Sequence, residues 1–213
     1  MGGGLCLTTS LYAHGQGFVY DQQSANAPEK TNYDSFALYI QPLMQAFVPT
    51  LSSIGFVQLE LMDYPDTSTT GARIGVALYS GSPSAPTLLG TTDLLYLPPN
   101  FNNDQIGYSG VADFTFAAPV ALTPGQTYFL EPDEVTGDDV WSVAVTDNTY
   151  QYGQLYGDGH PFTPPVDLWF REGVTVPEPP DCALLTMAGL LIAGILGKKP
   201  HSTTTTVDTI LIN

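Results

Sequence analysis

Positive charge is almost missing from this chain. Its 213 residues carry Lys+Arg 5 against Asp+Glu 21, a formal net charge of -16. Two of the five cations, Lys198 and Lys199, stand together near the C-terminus, leaving only Lys30, Arg73 and Arg171 before them. Such a surface repels phosphate backbones and anionic headgroups, which excludes nucleic acid as a partner. Cysteine is equally scarce. Cys6 and Cys182 lie near opposite ends, so the body between them has no disulfide framework, no cysteine nucleophile and no thiolate metal site. It must be held by its core alone. Of three histidines, His14 and His201 fall in terminal segments, and His160 in "DGHPF" is the one histidine of the body. There is no G-x-S-x-G, no H-E-x-x-H and no phosphate loop. Helix-period stretches are also missing before the tail.

What is present points to a sheet-built core. Hydrophobic residues make up 43% and aromatics 11% of the chain, spread along its length, with Gly 21 and Pro 18. That composition suits many short strands joined by turns. "GFVYDQQS" reads as a first strand, "QAFVPT" as a short one, and Ile54 to Met62 as a longer one. In the last, Phe56, Gln58 and Glu60 alternate with Val57, Leu59 and Leu61, the period of a sheet with one wet face. "ARIGVALYSG" places Ile74, Val76 and Leu78 on one side. "TLLGTTDLLYL" reads as a strand broken at Gly90. "VADFTFAAPVALTPGQTYFLEPDEV" reads as a strand, a turn at Pro124-Gly125 and an antiparallel return. "VWSVAVTD" and "DLWFREG" supply the last strands. Without intervening helices a parallel sheet is ruled out. The expected fold is all-β, an antiparallel β-sandwich of jelly-roll type followed by one short C-terminal hydrophobic helix.

The chain divides accordingly. Residues 1–17, with a mildly apolar run from Leu5 to Ala13, read as a truncated signal peptide. Residues 18–173 are the sandwich, 174–181 a Pro-rich linker, 182–199 a hydrophobic helix with a basic stop, and 200–213 an atypical polar tail. Cys182 to Gly197 is 16 residues without a charge. As a helix it reaches about 24 Å, short of a hydrocarbon core of roughly 30 Å. Lys198 and Lys199 stand where a cytoplasmic stop belongs, which places the acidic body on the far side of a membrane. Pro177, Pro179 and Pro180 keep the approach extended.

The order of these parts, Val176-Pro177-Glu178-Pro179, then a short apolar helix, then basic residues, resembles the PEP-CTERM sorting signal of Gram-negative bacteria. The resemblance covers about the last fifth of the chain. It implies that Pro177, Glu178 and Pro179 are recognised by a membrane-embedded exosortase, with Lys198 and Lys199 as the basic stop. It further implies an exported protein, held briefly in the inner membrane and then released to the cell surface or extracellular matrix, where exopolysaccharide is a candidate partner. Residues 18–173, through "QAFVPTLSSIGFVQLEL", "TPGQTYFLEP" and "DLWFREG", resemble the β-sandwich ectodomains that often precede this signal.

Within the body, chemistry is sparse. His160 beside Pro161 in a loop reads as solvated. The carboxylate pairs Glu131 with Glu134 and Asp138 with Asp139 would serve a polysaccharide hydrolase only if they faced one another across a cleft. "EPDEVTGDD" gathers Glu131, Asp133, Glu134, Asp138 and Asp139 in one loop region, and Asp133, Asp138 and Asp139 offer oxygen ligands for calcium. "NNDQ" and "YGDGH" are comparable loop donors. In "TYQYGQLYGDG", Tyr150, Tyr152 and Tyr156 offer ring faces for sugars, with Tyr150 and Tyr152 spaced to share one strand face. Trp141 and Trp169 read as core, and Arg171 as the partner of a nearby acid. The function expected from the whole is a non-enzymatic, exported structural protein. The alternatives are a carbohydrate-binding module for exopolysaccharide and, less favoured, a polysaccharide hydrolase.

Overall fold

A computed structural model describes residues 17–25, 35–38, 41–63, 70–99, 101, 110–137, 141–147 and 150–176. All of these lie within one compact unit, Gln16–Val176. The expected signal peptide up to residue 16, Pro177 to Pro180, the hydrophobic helix 182–199, the tail, and Asp138 and Asp139 lie outside that set, while Gly17 belongs to the first strand.

The described residues form strands and no helix: β1 (Gly17–Gln23), β2 (Ser35–Ala37), β3 (Leu43–Phe47), β4 (Ser53–Asp63), β5 (Ala72–Ser82), β6 (Ala85–Thr91) and β7 (Leu95–Leu97). There follow β8 (Gly110–Ala121), β9 (Tyr128–Thr136), β10 (Trp141–Asp147), β11 (Leu155–Gly157), β12 (His160–Pro161), β13 (Val166–Leu168) and β14 (Phe170–Val176). They build two antiparallel sheets packed face to face. The first runs β1-β14-β4-β10-β13, with β8 on β4 and β2 on β10; the second runs β12-β11-β3-β9-β5-β6, with β7 on β5.

The core between the sheets follows strand parity. Val57, Leu59 and Leu61 of β4 face Ile74, Val76 and Leu78 of β5, with Phe47, Phe114, Trp141 and Phe170 filling the space between. Trp141 is thus core, as its apolar neighbours imply.

Several particulars depart from expectation. The other face of β4 is dry: Phe56 is 0% exposed, Glu60 3% and Gln58 6%. Phe18 and Tyr20 of β1 lie over Phe56, with ring centroids at 4.5 and 5.6 Å. Gln58 donates to Asp113 of β8 at 2.7 Å. Second, Pro124-Gly125 does not close a hairpin. β8 pairs with β4 in one sheet, whereas β9 pairs with β3 and β5 in the other, so the turn is an arch between sheets. Gly125 takes φ 81, which suits glycine in such a bend. Third, the ladder of β6 with β5 slips at Gly90, as the sequence suggests, but the strand runs on to Thr91 and the gap before β7 falls at residues 92–94. Fourth, β14 continues to Val176 and absorbs residues 174–176 of the expected linker.

Candidate functional site

Two polar features stand out, one at the seam of β1 and β14 and one on the outer face of the second sheet.

At the seam, Gly17 pairs with Val176, so both ends of the sandwich lie side by side. The ladder slips between Tyr20 and Gln22, a β-bulge that leaves Asp21 unpaired. Asp21 uses that freedom to cap the turn before β4. The amides of Thr50 and Leu51 donate to its Oδ2 at 2.7 and 2.8 Å, and the Thr50 hydroxyl donates to Oδ1. Burial pushes the Asp21 carboxyl upward, but these donors outweigh it and hold it below its ordinary value.

Beyond the bulge, Gln22 turns inward and accepts from the Tyr150 hydroxyl at 3.1 Å, which itself accepts from the Val48 amide at 3.0 Å. Glu172, paired with Gln22 across the ladder, follows the same parity as Phe170 and points into the sandwich. It is 0% exposed, and neither carboxylate oxygen has a hydrogen-bond partner. Burial is the first cause of its pKa rising to about 8, and the charge of Asp21 adds to it. The nearby Gln22 amide opposes the shift without reaching hydrogen-bond geometry. Glu172 is therefore a neutral acid around pH 7.

A second buried network ties the two sheets. Gln45 of β3 donates to Asp167 of β13 at 3.0 Å and accepts from the Leu168 amide at 2.7 Å. The Tyr150 amide donates to the other Asp167 oxygen at 2.9 Å.

The outer face of the second sheet carries a groove of about 400 Å³ lined by Pro42, Met44, Tyr79, Pro83, Ser84, Pro86, Glu131, Asp158 and Gly159. Met44, Ala46 and Phe129 form a small apolar cluster against which Tyr79 and Tyr156 pack, and of these Met44 and Tyr79 line the groove. The Tyr156 ring stands edge-on to Phe129 at 5.9 Å. Two turns make the rims. Asp158 (φ 49) and Gly159 (φ 74) form the two-residue loop between β11 and β12, the geometry that an Asp-Gly hairpin turn supplies. The Asp158 amide donates to the Pro42 carbonyl at 3.0 Å, which locks this rim to the approach of β3. Gly159 rests against Ser84 of the β5–β6 turn, where an added Cβ would come within 3.4 Å of its Cα.

Tyr79 and Glu131 approach each other within the groove. Burial is the largest cause of the Tyr79 pKa rising to about 12, followed by its hydrogen bond to Glu131. Burial likewise raises Glu131; the Tyr79 hydroxyl opposes this, and the charge of Asp133 adds to it.

Of the residues singled out in the sequence, few come together. Tyr150 is 6% exposed and committed to the seam, whereas Tyr152 is 62% exposed and meets it edge-on at 5.8 Å. Both lie in the loop before β11, not on a strand, so they share no strand face. Of the three tyrosines only Tyr156 packs on the cluster beside the groove, and it is not among the lining residues. Glu131 and Glu134, three apart in β9, face opposite sides of the sheet and do not form a pair across a cleft. Asp133 is exposed on the outer face of β9. Among the described residues no three His, Cys, Asp or Glu side chains gather as metal ligands would. His160 lies exposed on β12. Trp169 is buried as expected, yet outside the main core: the Arg171 guanidinium lies 4.9 Å from its ring and 5.5 Å from that of Tyr20. Arg171 thus stacks between aromatics where an ion pair is expected.

The sequence pattern alone does not single out Pro42, Met44 or Tyr79. A signal for Tyr79 exists, because Ile74, Val76 and Leu78 fix the inward parity of β5 and leave Tyr79 facing out. Comparison with known proteins finds no matching family model, no matching curated protein and no matching solved structure.

Proposed function

We propose that the protein is exported and acts, without a catalytic step, as a structural component of the cell surface or extracellular matrix of a Gram-negative bacterium. In this reading the sandwich is jelly-roll-like and is followed by a short hydrophobic helix over residues 182–199. That helix holds the chain in the inner membrane, with Lys198 and Lys199 on the cytoplasmic side. An exosortase-type protease recognises Pro177, Glu178 and Pro179 and processes the tail.

The observation that carries this reading is the position of β14. It ends at Val176, the residue before Pro177, and it lies between β1 and β4. The sheet is complete only when its last strand is in place, and the motif follows that strand with no spacer. A membrane protease reading Pro-Glu-Pro would then act on a chain whose domain is already complete in sequence.

Replacing Pro177, Glu178 and Pro179 with alanine and fractionating cells tests it. The natural chain is expected at the surface or in the medium, and the variant in the inner membrane. Identical cytoplasmic distribution of both would contradict the proposal.

A further inference from the structure

The groove on the second sheet is a built feature that the sorting reading does not use, and its chemistry is selective. Its lining is mixed: Met44, the Tyr79 ring and the prolines Pro42, Pro83 and Pro86 supply apolar surface beside a comparable share of polar surface. Such surfaces suit the C–H face of a pyranose ring, and the volume of about 400 Å³ falls within the range of small-ligand sites. The Tyr79 and Ser84 hydroxyls and the Glu131 and Asp158 carboxylates supply hydrogen-bonding groups at the edge.

The rims are fixed before any ligand arrives. The Asp158 amide holds the Pro42 carbonyl, and Gln41 donates to the Pro132 carbonyl at 2.8 Å and to the Leu38 carbonyl at 2.7 Å. The Leu43 amide donates back to Gln41 at 2.9 Å. Binding therefore requires little ordering of the protein.

Charge narrows the ligand further. Glu131 is partly buried beside Asp133, so its ionised form has lost water without gaining a cation from the described residues. Among the described residues the cations are Arg73 and Arg171, and both are engaged elsewhere: Arg73 lies 5.9 Å from the Tyr96 ring on β7, and Arg171 sits on the other sheet. An anionic sugar polymer meets carboxylates here, with no Lys or Arg among the described residues beside them to offset the charge. An ammonium group set beside Glu131 and Asp158 would supply the missing charge.

We propose that this groove binds an amino-sugar unit bearing a free amine, as occurs along a partly de-N-acetylated amino-sugar polymer, with the ring against Tyr79 and the ammonium toward Glu131. The inference does not depend on the export route, because the groove belongs to the sandwich itself.

Titration calorimetry of the full chain with three short oligomers tests it: glucosamine, N-acetylglucosamine and a uronic acid. The expected result is binding of the glucosamine oligomer, weakened by salt, at least about tenfold tighter than the N-acetylated one, with no uronate binding. Glu131→Gln is expected to erase that preference. Ser84→Arg, at an exposed rim position, should abolish binding without touching the core. An unchanged unfolding midpoint in both variants separates loss of the site from loss of the fold. Failure of the glucosamine oligomer to bind overturns the proposal. So does equal binding of the N-acetylated or uronate oligomer, or indifference to both substitutions.

Discussion

Gly173 of β14 lies directly beneath the Val19 carbonyl of β1, so that a Cβ built on Gly173 would collide with that oxygen. The neighbouring Asp21 amide would lie only 3.1 Å from the same Cβ. The bulge in β1 is what brings its backbone so close. Gly173→Ala forces β1 outward, at an expected cost of roughly 1–3 kcal/mol in urea unfolding. Displacement of Phe18 and Tyr20 from Phe56 should accompany it, seen as altered near-ultraviolet aromatic signals. A variant as stable as the natural protein would mean that the bulge is placed otherwise.

Glu172 sets a slope on the alkaline side. Its ordinary pKa of 4.5 becomes about 8 in the fold, so between those values the folded state holds a proton that the unfolded chain has released. Stability must then fall as pH rises through that window, levelling once Glu172 ionises in both states. Around it stand Gln22 and Asp21 of β1 and Tyr150 of the loop before β11, none able to supply positive charge. Unfolding free energy measured from about pH 5 to about pH 9 should decline for the natural chain and be much flatter for Glu172→Gln. Parallel curves would show that Glu172 does not carry the slope.

Asp21 acts in the opposite direction. Its folded pKa lies below its ordinary 3.8, so the stability it confers is present above that value and lost as pH falls through the folded pKa. Asp21→Ala removes the acceptor for two amides of the β3–β4 turn and should cost about 1–3 kcal/mol near neutral pH. The gap between the variant and the natural chain is expected to close in acid. A gap that widens in acid would refute the assignment.

The bond between Gln45 and Asp167 joins the two sheets through a fully buried pair. Asp167→Ala removes the acceptor of the Tyr150 N–H and of one of the two Gln45 amide protons, the other still donating to the Ala46 carbonyl, so a loss of roughly 2–4 kcal/mol is expected. Asp167→Asn keeps the shape but offers a donor where the Gln45 and Tyr150 N–H groups need acceptors. It should recover only part of the loss. Full recovery would show that shape alone, not the pattern of donors and acceptors, is what the site requires.

Strand existence was legible in this sequence because parity is local. Val57, Leu59 and Leu61, or Ile74, Val76 and Leu78, declare the core face without knowledge of any partner. Pairing was not, because it depends on residues far away in the chain. Nothing within residues 110–136 says that β8 and β9 belong to different sheets, and a Pro-Gly turn serves an arch as well as a hairpin. The dry second face of β4 was hidden for the same reason, since its cover comes from Phe18 and Tyr20 of the first strand. Glu172 did leave a trace: Phe170, Glu172 and Val174 share one parity, which puts an acid on the core face. The groove was the least legible feature. Its walls come from β3, β5, β6, β9 and two turns, and only the Asp-Gly pair at 158–159 signals locally that a tight loop is present.

Intact mass spectrometry of the mature protein from its natural host reads the proposed processing after β14 directly. A chain ending shortly after Val176, lacking the hydrophobic helix and Lys198-Lys199, is the predicted result. A mature protein that retains Lys198 and Lys199 in a cytoplasmic fraction would contradict it.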